Sequence, residues 1–218
     1  MWARALLFGA LFLGSQNVQK ARADESNDLR EFRVGMKVEE LPRAGYLDFS
    51  CAAAPSKKLT GWQDYRECPA DSAGLREVSF RYDESANTLA KINDQYEGTR
   101  VGGHPVLVSL LIDDQGTVAG LKIVTDPKAR LYMHKKAFLL GQQAKAHYGE
   151  DGWTCTEAQP SADEEPVGGV FIKEHCEKTT PTRRILVERD LFRHPGQELK
   201  DFVGDSKVTI LLPSVRTH

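Results

Sequence analysis

Four cysteines, Cys51, Cys68, Cys155 and Cys176, limit what this chain can fold into more than any other feature, because their number is even and their spacing is wide. Structural zinc usually shows a close C-x₂₋₄-C or H-x₃₋₅-H pair and a thiol–disulfide centre a C-x-x-C pair; no such cysteine pair exists here. Two disulfides are the remaining reading. Four cysteines allow three connectivities, of which the local one, Cys51 to Cys68 and Cys155 to Cys176, is favoured. A staple of that kind constrains the unfolded chain by roughly 3 kcal/mol.

Disulfides imply an oxidising compartment, and the first residues agree. "MWARALLFGALFLGSQNVQKARA" has a cation at Arg4, an apolar run from Ala5 to Gly14 and the small-x-small site Ala21-Arg22-Ala23. That is the anatomy of a cleavable secretory signal. The run is about 10 residues long, short of the roughly 20 that a spanning helix needs. Removing residues 1–23 takes the formal charge from −2 to −5 and leaves 195 of 218 residues. A mildly acidic chain argues against nucleic acid as a partner, since phosphate binding draws on surplus Lys and Arg. No Asn-x-Ser/Thr sequon occurs, which favours a bacterial envelope, periplasmic or secreted. The expected organisation is a signal over 1–23, a flexible polar arm over 24–30 and a single α+β domain over 31–218.

Short strand-like runs, some alternating and some continuously apolar, make up most of the rest. "LREVSFRYD" sets Val78, Phe80 and Tyr82 against Glu77, Ser79 and Arg81, a half-buried strand. Leu89, Ile92 and Tyr96 recur at helical spacing. Pro105–Ile112 and Thr117–Thr125 flank the polar turn Asp113–Gly116 and read as a hairpin, with Asp113 and Asp114 as turn formers. Asp126-Pro127 predicts a helix N-cap with Pro at the first position, continued by Met133, Ala137, Leu140, Ala144 and Tyr148 to Gly149. Three more strand candidates, "GGVFIKEHC", "RRILVERDLF" and "SKVTILLP", complete the chain. Hairpins outnumber alternating helices, so the expected fold is α+β: a mainly antiparallel sheet with about two helices on one face and two disulfides. The two cysteine-bounded segments share a faint plan, each ending in an alternating strand; convergence explains it better than duplication.

The helix over 127–148 carries Lys128, Arg130, Lys135, Lys136 and Lys145 with no acid. At 100° per residue, Leu131 and Phe138 fall opposite the Met133-Ala137-Leu140 stripe, flanked by Lys135 and Lys145. Leu131, Lys135, Phe138 and Lys145 are therefore candidate partner-binding residues, set beside the alternative of a second buried contact. A basic face with an apolar pair suits a protein groove or an anionic envelope component, including peripheral contact with a membrane surface. Trp62 and Trp153, each close to a cysteine, pack against the disulfides or line a ligand groove.

Hydrolase, zincin and nucleotide-binding motifs are missing, and no cofactor or metal is implied. Asp163, Glu164 and Glu165 lack the spacing of a calcium loop and read as a solvated tip. "FRVGMKVEELPRAGY" is similar, over about a dozen residues, to the opening of small envelope modules of the SmpA/OmlA type. That resemblance implies a short helix begun at Gly35-Met36 ahead of an antiparallel sheet, and Pro42 departs from its pattern. The sequence thus points to an exported binding or accessory protein. Its rivals are an envelope hydrolase with dispersed residues, to be sought at His104, His134 and the aspartates, and a small-ligand-binding protein using Trp62 and Trp153.

Overall fold

Side chains that alternate along a strand must bury one face, and here most strands share one buried face. The computed structural model describes residues 26–86, 88 and 98–216. Its strands are β1 (Tyr46–Cys51), β2 (Ala54–Lys58), β3 (Arg76–Tyr82), β4 (Arg100–Val101), β5 (His104–Ile112), β6 (Val118–Thr125), β7 (Thr154–Glu157), β8 (Ile172–Thr179), β9 (Arg184–Phe192) and β10 (Val203–Leu211). They form one 10-stranded sheet in the order β2-β1-β3-β5-β6-β10-β9-β8-β7, with β4 paired to β5. Every pairing is antiparallel. The predicted leader, and the predicted helix around Leu89–Tyr96, lie outside the described residues. No helix among the described residues is long and apolar enough to cross a membrane.

One register line shows how the core is made. Phe80 lies opposite Val108, then Ile123, Val208, Val187, Cys176 and finally Cys155. From Phe80 to Cys176 every member of that line is buried. The next line, Ser79, Ser109, Lys122 and Thr209, belongs to the opposite face and is polar. β5 is buried at almost every position because a second, smaller cluster of Leu75, Leu111, Ala119, Leu186 and Leu211 covers part of that face.

Both disulfides have the local connectivity, Cys51–Cys68 and Cys155–Cys176. Cys51 ends β1 and reaches the residue after a 3₁₀ turn, Trp62–Glu67, whereas Cys155 and Cys176 sit directly opposite each other on β7 and β8. The two cysteine segments are thus built differently. A 3₁₀ turn over Val38–Glu40 precedes β1, where the envelope-module resemblance implies a short helix begun at Gly35-Met36. Leu41 beyond it is already extended, as a residue before proline prefers.

The basic helix departs most from expectation. Asp126 does not cap it: its carboxylate accepts the N–H of Lys128 at 2.8 Å and closes a turn. Helix begins later, as α1 (Leu131–His134), breaks over residues 135–137, and resumes as α2 (Phe138–Tyr148). Around the break N–H groups reach back three residues, Lys136 to Met133, Ala137 to His134 and Leu139 to Lys136. Each such step turns the chain about 120° where an α-helix turns 100°, yet the expected stripe keeps its buried side: Ala137, Leu140 and Ala144 are buried, while Leu131 is exposed. α2 lies on the core face against β9 and β10, where Gly141 permits close approach: a Cβ there would stand 2.8 Å from Val187 Cγ1.

Candidate functional site

The closeness of α2 to the sheet on its Gly141 side leaves a cleft on the other. Leu140 and Ala144 of α2 face Ile123 of β6 and Val208 and Ile210 of β10 across a cavity of about 440 Å³. Val101 closes one end. It is held there by a two-residue hairpin in which Gly102 and Gly103 both have positive φ, the turn geometry that suits a β-hairpin. The two glycines ahead of His104 in the sequence are these turn residues. Gln143 of α2 reaches the Gly102 carbonyl with its amide, 3.2 Å away, and ties helix to hairpin.

The remaining wall is a strap, residues 26–34, which crosses the open side of the cleft. Asn27, Asp28, Leu29 and Arg30 line the cavity. At one end of the strap, Asp28 forms an ion pair with Arg183 in which both side chains are almost wholly buried. Asp28 also accepts the Tyr148 hydroxyl at 2.8 Å and the Val34 N–H at 2.8 Å. Arg183 donates further to the Ser26 carbonyl. Arg30 places its guanidinium 3.5 Å from the centre of the Tyr82 ring and pairs with Glu84 at 3.1 Å. Phe32, fully buried, anchors the other end among Tyr46, Trp62 and Phe80.

The cleft is therefore an apolar trough with a polar rim of Asn27, Arg30, Gln143 and His147. Tyr148 sits with its hydroxyl against Asp28; burial, and then the Asp28 charge, hold the phenol above its ordinary pKa, so it stays a neutral donor. Among the described residues the lining contains no serine, threonine or cysteine and one acid, Asp28, which is saturated by Arg183, Tyr148 and the Val34 amide. Such an arrangement recognises an apolar body and orients a polar head.

The residues singled out from sequence are dispersed. Leu131 and Lys135 are exposed on and beside α1, Leu131 at 42%. Phe138 is half-buried with Arg189 over its ring, at 5.9 Å. Lys145 turns away from the cleft to the Cys155–Cys176 disulfide, 3.2 Å from Cys176 Sγ. Trp62 is buried in the core that holds Cys51 and Cys68, its indole donating to the Pro42 carbonyl, whereas Trp153 lies beside β7, at the far edge of the sheet. The two tryptophans do not share a groove. His104 is buried and contacts Thr125 through Nε2; burial first, then His134 and Arg100, lower its pKa. His134 contacts the Gly204 carbonyl and Asp205.

Of the acids of the stapled loop, Asp163 is solvated as expected, whereas Glu164 and Glu165 are partly buried in pairs. Glu164 pairs with Lys173 and Glu165 with Arg193, while Asp163 faces His194. Cys155, Glu174 and Cys176 cluster closely enough for a metal, but both sulfurs are joined in the disulfide. Sequence reasoning found Tyr148 and Ala144 as part of a stripe and missed Asp28, which stands in a polar run with nothing to mark it as buried. No protein-family model matches the sequence, and neither curated proteins nor solved structures give a significant match.

Proposed function

We propose that this is an exported binding protein whose ligand is a small amphiphile, with its apolar body in the cleft between α2 and the sheet and its polar end at the Gln143–His147 rim. The cleft carries the reading: it is concave, mainly apolar, of small-molecule size, and rimmed by a few polar groups. The leader-like residues 1–23 and the two disulfides support export.

A second observation favours delivery at an anionic surface. Leu131 and Tyr132 of α1 are exposed, at 42% and 46%, and Lys135 and Lys136 follow them. Apolar residues beside lysines suit a phospholipid head-group layer. In this reading α1 touches the surface and the cleft accepts the ligand.

One experiment tests both. The protein is titrated with an anilinonaphthalene sulfonate probe, then with a single-chain acyl amphiphile as competitor, and floated with neutral or anionic phospholipid vesicles. The expected result is one saturable site, displaced by the amphiphile and lost in Ala144→Phe, which fills the trough. Vesicle binding should need anionic lipid and be lost in Leu131→Glu with probe binding intact. Equal probe binding by wild type and a folded Ala144→Phe variant would remove the cleft from the reading.

A further inference from the structure

The Cys155–Cys176 disulfide stands in surroundings unlike those of its counterpart. Cys51 and Cys68 are 0% and 1% exposed within the core. Cys155 is exposed on the edge strand β7, and Cys176 beneath it is fully buried. Across the bond lies Lys145 of α2, its ammonium 3.2 Å from Cys176 Sγ and 3.7 Å from Cys155 Sγ. An intact disulfide is a weak acceptor and gives an ammonium little. A thiolate in the same place gains a full opposite charge.

We infer that Cys155–Cys176 is a thiol-exchange site, opened by small thiols while the rest of the protein remains folded. The thiolate of the incoming molecule attacks the Sγ of Cys155, the exposed residue of the pair, and forms a mixed disulfide with it. The Cys155–Cys176 bond breaks, and its electron pair leaves on Cys176 Sγ, facing Lys145. A second thiolate of the same kind attacks the incoming sulfur and expels Cys155 as a thiolate. Two small thiols are thereby oxidised to one disulfide, the protein disulfide is reduced to two cysteines, and the protons released by the small thiols are available to them. A cation beside the departing sulfur lowers its pKa and quickens its departure.

The other charged groups around the bond set the size of the effect. Glu174 has a carboxylate oxygen within 4.8 Å of both sulfurs and opposes a thiolate. Its charge is shared between Arg189, 2.9 Å away, and Lys145, 3.8 Å away. Lys178, 5.8 Å from the centre of the Trp153 ring, is taken up by the carbonyls of Tyr148, Gly149 and Asp151. Lys145 is therefore the cation that answers the leaving sulfur, and Glu174 is the group that restrains it.

The inference is independent of what occupies the cleft. The oxidised protein is exposed to excess reduced glutathione, quenched with an alkylating agent at intervals, and mapped by mass spectrometry of its cysteine peptides. Cys155 and Cys176 should be labelled first, with Cys51–Cys68 intact and the circular dichroism unchanged. Lys145→Gln should slow that opening about threefold to tenfold, Lys145→Arg should restore it, and Glu174→Gln should accelerate it. Opening of both disulfides together would overturn the proposal, as would a folded Lys145→Gln variant that opens at the wild-type rate. Should Lys145→Gln fail to fold, Glu174→Gln decides: acceleration supports the site, and an unchanged or slower rate removes it.

Discussion

The register line from Phe80 to Cys155 begins in one kind of structure and ends in another. Around Phe80, the rings of Phe32, Tyr46, Phe49 and Trp62 meet largely edge to face, with centroids from 4.6 to 6.5 Å apart. Around β8 and β9 the neighbours are ion pairs: Glu174 with Arg189, Glu177 with Arg184, and Glu188 with Lys207. Each end has one disulfide, and loop closure values them alike, about 3 kcal/mol for separations of 17 and 21 residues. The folded states are what differ. Apolar burial holds the aromatic end, whereas partly exposed ion pairs contribute at most about 1 kcal/mol each and mainly fix register. At the charged end the covalent bond supplies a larger share of the cohesion, and it is also the bond that a thiol can reach.

The largest effect should come from the aromatic end. Phe80→Ala removes a ring that is 3% exposed and touches five others, and it should cost about 3–5 kcal/mol, read as a lower urea midpoint with an unchanged slope. Arg184→Gln, which breaks the Glu177 pair across β8 and β9, should cost under about 1 kcal/mol and less still in high salt. Equal costs would break the comparison.

The strap sharpens it, because residues 26–34 fasten the two ends together. Asp28→Ala leaves Arg183 buried without its carboxylate and Tyr148 without its acceptor. The cost should be about 3 kcal/mol, at the low end for a broken buried pair because Arg183 keeps the Ser26 carbonyl and the Thr182 hydroxyl. Amide exchange should then quicken at both ends of the strap, in the β8–β9 turn and around Phe32. Loss of protection at one end only would show that the ends are held separately.

How much of this the sequence discloses follows the same division. The alternating strand β3, the short strand-like runs of β8 to β10, and the β5–β6 hairpin with its Asp113 turn are legible because their pattern is local: Asp113 accepts the N–H groups of Gln115 and Thr117 as a turn aspartate should. β1 and β2 escape notice since "YLDFSC" and "APSKK" carry no clear alternation, and β2 is an edge strand with Pro55 and two lysines. The helix over 127–148 is legible in its buried stripe, Ala137, Leu140 and Ala144, and not in its late start or its break, because turns of three residues leave no mark in composition. The cleft is half legible. Leu140 and Ala144 announce a buried face, but the strap that completes the cavity depends on contacts over more than a hundred residues, Asp28 with Tyr148 and Arg183.

The smallest effect belongs to the stapled loop and is a matter of pH. Lys173, by its hydrogen bond, and then the Ser161 amide hold the Glu164 carboxyl down from an ordinary 4.5 to about 2. A carboxyl depressed in the folded state adds stability that is complete above its unfolded value and disappears as pH falls through the folded one. Glu164 should therefore steepen the acid limb of the stability curve between 4.5 and about 2. Glu164→Gln should be slightly less stable than wild type at neutral pH, should lose less on acidification, and should meet the wild-type curve near the bottom of that window. Urea midpoints measured down to that pH check it. Parallel curves would mean that Glu164 and Lys173 pair without linkage to folding, and that the charged end owes even more to its disulfide than the comparison assigns.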